Sequence, residues 1–413
     1  MLFEEWIEQA YSLGASDLHL EADTPIVARI RGELQTVGGV VPGAALTQVA
    51  RSLLGTARWP DFVERGSADL SETVGGIRVR ANFFQTVRGL GLAVRLLASG
   101  AKDLRGCNLH PDFRKLIEPA SGLIIVSGPT GSGKSTTLAA LLEEINASRA
   151  RNIITLESPI EYLFANRQSF IRQREIPTHS PSFEQAIIDA LRENPDVLVI
   201  GEMRTPEVMR LTLNAAETGH LVIATMHSAN CAEALSRLCM SFPSDIQPSV
   251  RAQLADCLVA VCCQRLEFLA AHRLLVPRCE MLLPTSGAKG TIRGGSFSQI
   301  ATVLQSGGEE GMWTYDRYQR WMDPVTDWVR PPTAGALRAA KPPAARAMPS
   351  AGAPLPPKTA AAAPAGTRPA ASPAMRPAAG IGAQPEDVIE VPAEDMDLAA
   401  LAELAKKVVE RKP

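Results

Sequence analysis

Eight residues constrain this chain more than any others: Gly128-Pro129-Thr130-Gly131-Ser132-Gly133-Lys134-Ser135, set between the apolar run Leu123-Ile124-Ile125-Val126 and the helix-forming Thr136-Thr137-Leu138-Ala139-Ala140-Leu141-Leu142. Gly, four residues and then Gly-Lys-Ser, between a buried strand and a helix, is the pattern of a phosphate-binding loop. Its parts have separate physical reasons. Gly128, Gly131 and Gly133 let the backbone turn its N–H groups onto a β-phosphate, and the helix N-terminus adds a favourable dipole. Lys134 supplies a point charge for the β- and γ-phosphates, and Ser135 a hydroxyl for Mg²⁺. The residues expected to hold ATP are therefore Gly128, Pro129, Thr130, Gly131, Ser132, Gly133, Lys134, Ser135 and Thr136. A Gly-rich turn that happens to carry a lysine is the bland alternative, and the strand and helix on either side argue against it.

The chain has 413 residues and a formal net charge of -2, so one or two sizeable cores are possible and no global charge points to nucleic acid. Its start, Met1-Leu2-Phe3-Glu4-Glu5-Trp6, carries acid rather than a basic segment followed by an apolar core. No apolar run approaches the roughly 20 residues that a membrane span needs. The expectation is a cytoplasmic protein that meets membranes only through partners. Seven cysteines, Cys107, Cys231, Cys239, Cys257, Cys262, Cys263 and Cys279, form no CxxC pair and no metal-spaced quartet, and are read as reduced, mostly buried thiols.

From Phe3 to about Leu13 the apolar positions Phe3, Trp6, Ile7, Ala10 and Tyr11 recur at helical spacing, and Gly14-Ala15-Ser16 leads into the alternating strand Asp17-Leu18-His19-Leu20. Further strands at Ile26 to Ile30, Ile77 to Phe84 and Gly91 to Leu96 complete a small mixed domain. Arg78 and Arg80 share one face of their strand and Arg95 lies on the next. Such arginines are ordinarily solvated, but one offered to a neighbouring subunit's γ-phosphate can be worth about 10³–10⁵ in rate.

After a linker at Ala98-Ser99-Gly100-Ala101-Lys102, a second domain opens near His110-Pro111 and alternates apolar strands with helical stretches, which predicts a parallel sheet with crossover helices. Its strands include Leu123 to Ser127, Asn152 to Leu156, Val197 to Gly201 and His220 to Thr225. Ligands of such sheets bind at the carboxyl ends of the strands. There stand Glu157-Ser158-Pro159-Ile160-Glu161 and Gly201-Glu202, with His220 and His227 at the two ends of the fourth strand. Glu161, Glu202, His220 and His227 are expected to converge on the phosphates. Singly, Glu161 also reads as a solvated helix start and His220 as a satisfied core histidine. From Arg330 to about Gln384 the chain is Ala-Pro-Arg-rich and holds few large apolar side chains, the composition of a flexible linker. Beyond it Leu398, Leu401, Leu404 and Val408 recur at helical spacing, with acids before them and Lys406, Lys407 and Arg411 at the end, as in a tethered amphipathic helix that docks on a partner or merely frays.

Taken together, Ala15-Ser16-Asp17-Leu18-His19-Leu20, the phosphate loop, Gly201-Glu202-Met203-Arg204 and Ala216-Glu217-Thr218-Gly219-His220-Leu221-Val222 resemble the PilT/PilU-type retraction ATPases of type IV pili, within the type II/type IV secretion ATPase superfamily. The likeness runs to about Met322. It implies an α/β chain with a small PAS-like α+β N-terminal domain (1–98), a linker (99–109) and a RecA-like P-loop ATPase domain (110–325); the likeness does not cover the tail (326–413), which its Ala/Pro-rich composition makes disordered. By the same resemblance, Lys134 and Ser135 match the Walker A lysine and Mg²⁺ ligand, Glu161 the second acid of the Asp box, and Glu202 the Walker B glutamate beside Mg²⁺. His220 and His227 match the His-box histidines, and Arg80 and Arg95 the small-domain arginines that reach the ATP of the adjacent subunit. The implied assembly is a homohexamer acting on the inner-membrane pilus platform protein, with or without a paralogous retraction ATPase, peripheral at the inner membrane through those partners. Four sites depart from the family pattern. Ser158 replaces the Asp of the Asp box, Thr205 stands where an acid follows Gly-Glu-Met-Arg, Ile187-Ile188 replaces a Leu-Arg pair, and Ile292-Arg293-Gly294-Gly295-Ser296 stands where the family carries Ile-Arg-Glu-Gly-Lys.

The expected function is Mg²⁺-ATP hydrolysis driving pilus retraction, with Glu202 or Glu161 deprotonating the water. The departures suit an accessory or weakly hydrolysing regulatory subunit as the alternative, ahead of a secretion-system ATPase. A nucleic-acid translocase would need a basic channel, for which no Lys/Arg cluster in the ATPase domain gives a hint; no direct nucleic-acid partner is expected.

Overall fold

The computed structural model describes residues 2–30, 32–97 and 102–330. Residues 98–101 of the expected linker lie outside the described residues, as do the tail from 331 onward and its expected helix at 398–408. The chain opens with an amphipathic helix, α1 (Leu2–Ser12), that buries Phe3, Ile7 and Ala10. Gly14, at φ 72°, turns it into β1 (Ala15–Glu21). There follow β2 (Thr24–Ile30), β3 (Glu33–Val41), α2 (Gly43–Arg65), β4 (Ser67–Val74), β5 (Ile77–Thr86) and β6 (Gly89–Leu96). The strands form one six-stranded antiparallel sheet in the order β3-β2-β1-β6-β5-β4. One face packs on the two helices around Ile7, Leu18, Leu46, Phe62, Phe83 and Leu92. The opposite face carries Arg78 and Arg80, while Val79 and Ala81 point into the core, the period-two alternation that a half-buried strand requires. Arg80 of β5 is the register partner of Arg95 of β6.

The second layered body is built by α3 (Phe113–Leu116), β7 (Gly122–Ser127), α4 (Lys134–Ser148), β8 (Asn152–Glu157), β9 (Phe170–Glu175), α5 (Phe183–Leu191), β10 (Val197–Ile200), α6 (Pro206–Glu217), β11 (Leu221–Met226), α7 (Cys231–Met240), α8 (Gln247–Cys257), β12 (Leu258–Leu269) and β13 (Leu274–Leu282). Its seven-stranded sheet runs β13-β12-β7-β11-β10-β8-β9, parallel except for the edge strand β13. Helices cover both faces, each over its own apolar cluster, so the central strands β7, β10 and β11 are buried along their whole length. That burial explains why they read in sequence as unbroken apolar runs rather than alternating ones. The parallel register aligns Ser127 with Met226, Ala224 with Ile200, and Ile200 with Leu156. The residues after four strands therefore emerge along one edge of the sheet. The chain continues through α9 (Ser286–Gly294), α10 (Ile300–Ser306) and α11 (Tyr315–Met322). The expected Ile292 to Ser296 segment ends α9, with Gly295 as a left-handed cap. All seven cysteines are free and all but Cys107 are buried. No described helix is long and apolar enough to cross a membrane.

The two sheets are joined by a nearly buried ion pair. Arg78 donates from Nη2 to Glu175 Oε2 at 3.0 Å and from Nε to the Ile160 carbonyl at 3.2 Å, and the same Glu175 oxygen accepts the Ile160 N–H at 3.1 Å. The side chains of Arg78 and Glu175 are only 14% and 11% exposed. Removing one partner of such a pair leaves a charge without compensation, so Arg78→Ala should lower unfolding free energy by about 3 kcal/mol. Denaturant unfolding of the variant checks this, and a loss indistinguishable from zero would mean that the two sheets are not held by this contact.

Candidate functional site

The phosphate loop starts where β7 ends. Gly128 has φ 151°, Gly131 φ 79° and Gly133, the cap of α4, φ 85°. A Cβ on Gly128 would run into the Gln264 carbonyl oxygen and the Ser132 hydroxyl. Glycine is therefore required there both by the backbone angle and by the close approach of β12. Lys134 lies in the first turn of α4, buried at 9% exposure. Its Nζ donates to the carbonyls of Gly128 at 2.9 Å and Pro129 at 3.0 Å, and stands 3.4 Å from His227 Nδ1. An ammonium has only donors, so this geometry assigns Nδ1 as an acceptor and puts the imidazole proton on Nε2. Burial lowers the pKa of Lys134 against the opposing fields of Glu161 and Glu202. Burial and then Lys134 lower that of His227, with Glu202 opposing, which keeps the imidazole neutral as the acceptor role demands.

Other elements hold the loop in shape. Gln264, from β12, is 1% exposed; its Nε2 donates to the Ser132 carbonyl at 2.6 Å and its Oε1 accepts from Thr137 Oγ1 at 2.7 Å. Ser127 Oγ donates to the Ser228 carbonyl at 3.0 Å and accepts from the Ser228 N–H at 2.9 Å. This ties the end of β7 to the exit of β11 beside His227. Ser132 Oγ is buried and has no hydrogen-bond partner among the described residues. An orphan hydroxyl next to a buried ammonium in a glycine-rich loop is a place that a phosphate oxygen can satisfy. The available oxygen donors for a hard cation are the Ser135 hydroxyl and the Glu202 carboxylate, the chemistry Mg²⁺ takes.

Glu202 leaves β10 at the same edge, its Oε2 2.8 Å from Arg204 Nε, and is 16% exposed against 71% for Arg204. Glu161 is half-buried and acts on Lys134 from the β8 side. The sequence reading gave no role to Glu157, the last residue of β8. Burial pushes its pKa up to about 7, with Glu161 and Glu175 adding to the rise and hydrogen bonds from Thr155 and Gln173 opposing it. Its position at the end of a buried strand was the available signal. Gln264, Ser228 and Tyr162 were also missed, because nothing in local spacing says which residue of a distant strand will meet a loop. Tyr162 Oη lies 2.9 Å from Thr136 Oγ1.

One expectation needs correcting. Glu161, Glu202 and His227 gather about Lys134, but His220 does not join them. It precedes β11 while His227 follows it, and a six-residue strand separates its ends by about 20 Å. His220 Nδ1 sits instead 2.9 Å from the Ala215 carbonyl and 3.3 Å from Thr218 Oγ1, at the C-terminal end of α6. Arg80 and Arg95 make their described ion pairs with Asp69 at 4.0 Å and Asp17 at 2.9 Å, and their side chains are 48% and 68% exposed. Ser158 turns away from the loop: its hydroxyl donates to the Ile176 carbonyl at 3.0 Å, and it lines a cleft between the two sheets shared with Arg58, Arg65 and Arg80. Thr205 caps α6 by accepting the Val208 N–H.

Beside the loop opens a cavity of about 460 Å³, mostly apolar, walled by Thr136, Tyr162, Leu266, Leu274, Asn108 and Val329 among others. A planar ring attached to a phosphate chain on the loop has this space as its neighbour.

A family model described as Type II/IV secretion system protein matches residues 1–303. The uncharacterized protein YggR of Escherichia coli is 38% identical over 318 residues, covering 77% of this chain and 97% of that one. The type IV pilus retraction ATPase PilT of Pseudomonas aeruginosa is 35% identical over 313 residues, covering 73% and 88%. Among solved structures, the pilus retraction motor PilT with bound ADP superposes with a TM-score of 0.70 at 33% identity, covering 78% of this chain and 97% of that chain.

Two outcomes follow from the geometry. Gly128→Ala should abolish nucleotide binding in an otherwise folded chain, as read by equilibrium binding of a fluorescent ATP analogue beside circular dichroism; intact binding would contradict the steric account. Glu157 holds a proton in the folded state that the unfolded chain, with the ordinary value of 4.5, has lost. Stability should therefore fall as pH rises from about 4.5 to 7, by up to about 3 kcal/mol. Glu157→Gln should remove that part of the slope in melting curves taken across the window.

Proposed function

Because the chain belongs to the Type II/IV secretion system protein family and is an ATP-hydrolysing enzyme, we propose that it is a hexameric motor that powers retraction of a type IV pilus. It would act from the cytoplasmic side on the inner-membrane platform protein. The observation that carries the reading is the gathering of Glu161, Glu202 and His227 about the buried Lys134 at the carboxyl edge of one parallel sheet.

In this reading the Lys134 ammonium exchanges the Gly128 and Pro129 carbonyls for the β- and γ-phosphate oxygens, and loop N–H groups and the Ser132 hydroxyl complete the cradle. Ser135 and Glu202 would hold Mg²⁺, which supplies charge neutralisation at the phosphates. Glu202 or Glu161 takes a proton from a water whose oxygen bonds to the γ-phosphorus as the bond to the ADP oxygen breaks. His227, neutral and in contact with Lys134, reports the phosphate state to β11. Arg80 and Arg95, exposed and register partners on β5 and β6, would reach a neighbouring subunit's γ-phosphate. His220, at the far end of β11, is left for a subunit contact. The adenine ring would lie in the cavity beside Thr136 and Leu266. The domain borders that go with this assignment are 98, 110 and 325. Ser158 costs the site little here, since its hydroxyl engages the Ile176 carbonyl rather than the loop.

Glu202→Gln should retain ATP binding and lower turnover by roughly 10²-fold or more; appreciable remaining activity would remove Glu202 from the role. Wild-type turnover should rise cooperatively with protein concentration, and Arg95→Ala should collapse it. Absent turnover with ATP binding intact would overturn the self-sufficient motor in favour of an accessory subunit that needs a paralogous ATPase.

A further inference from the structure

After α11 the chain turns back along the molecule. Trp328 packs edge-on against Trp321, with ring centroids 6.0 Å apart, and Asp327 lies 3.6 Å from Arg105. The next residue is seized by a side chain from residues 102–109, which precede α3. Asn108 Nδ2 donates to the Val329 carbonyl at 2.9 Å, and Asn108 Oδ1 accepts the Val329 N–H at 2.8 Å. One amide thus pairs with both backbone groups of one residue, as a neighbouring strand would. Asn108 itself adopts φ 57°, a left-handed conformation that asparagine tolerates better than most residues. Asn108 and Val329 both wall the cavity beside the phosphate loop, together with Thr136, Tyr162, Leu266 and Leu274. Val329 lies beyond the residues that the family model matches.

We propose that residues 325–329 form a strap whose Val329 completes the nucleobase pocket, and that Asn108 is the positioning residue holding it there. This rests on the cavity being the base subsite. The strap contacts the base and not the phosphates, because the phosphate-binding groups, Lys134 and the loop, receive no bond from it. Displacing the strap opens one wall of the cavity to water and costs the contacts of the ring alone. Its displacement would then change affinity for the nucleoside without touching the phosphate cradle, a form of regulation set by the base rather than by hydrolysis.

The test uses the full chain and two probes, ATP and inorganic tripolyphosphate, which shares the phosphates and lacks the nucleoside. Asn108→Ala, which removes both bonds to Val329, and, separately, Trp328→Ala, which removes the strap's packing on Trp321, should each weaken ATP by about tenfold and leave tripolyphosphate unchanged. Thermal melts report that the variants are folded. Leu266→Gln, on the cavity wall outside the strap, is the companion variant. If it weakens ATP selectively while both strap variants bind ATP as wild type does, the strap is overturned and the base subsite stands. If all three leave ATP unchanged, the cavity does not hold the base and the proposal fails with it. Loss of ATP and tripolyphosphate in equal measure would make the strap a structural brace of the whole site, which also refutes it.

Discussion

A buried ammonium must be surrounded by oxygen, and much of this site follows from satisfying that one group. Lys134 is placed by the first turn of α4 under the loop that precedes it, where two carbonyls of the loop itself take its protons. Carbonyls can turn inward there only if the backbone adopts angles that side chains resist, hence the glycines. The loop can be so open only if something else fixes it, and Gln264 does so from the neighbouring strand, bonding the loop and the helix start at once. The carboxylates of Glu161 and Glu202, the latter also paired with Arg204, then stand in the field of an ammonium whose protons the backbone already accepts.

The loop and the parallel sheet were legible in sequence because they depend on local pattern: glycine spacing, unbroken apolar runs, acids at strand ends. What failed was what depends on long-range packing. Strands β3 and β4 are exposed over much of their length, so their residues carry little period-two signal. α2 is two helical segments that meet at a kink, where Gly55 takes φ 65° and ψ -177°, and Pro60 lies in the second, so its sequence carries no unbroken helical period. β12 and β13 form a hairpin whose tip exposes Phe268 and Leu275, and Gln264 within β12 looks like any polar residue. His220 shows the opposite error. Two histidines flanking a strand share its sequence neighbourhood, yet the strand itself keeps them apart.

Departures from a family pattern also change meaning once placed. Ser158 in the run Glu157 to Glu161 suggests a lost charge beside the phosphates, but its hydroxyl serves the carbonyl that follows β9. Glu157, immediately before it, carries the unusual titration. Ile187 is fully buried and Ile188 is 38% exposed on α5, so the change from a Leu-Arg pair removes a cation from one helix surface while leaving the core apolar.

The contact between the sheets has a mechanical side. The backbone of Ile160 is gripped on both sides of its Cα, its N–H by Glu175 and its carbonyl by Arg78 of the other sheet. These two groups belong to successive peptide planes that pivot about that Cα, so the two grips together fix the φ and ψ of one residue. The next residue is Glu161, so the clamp that joins the two sheets also sets the point from which the chain enters the phosphate edge.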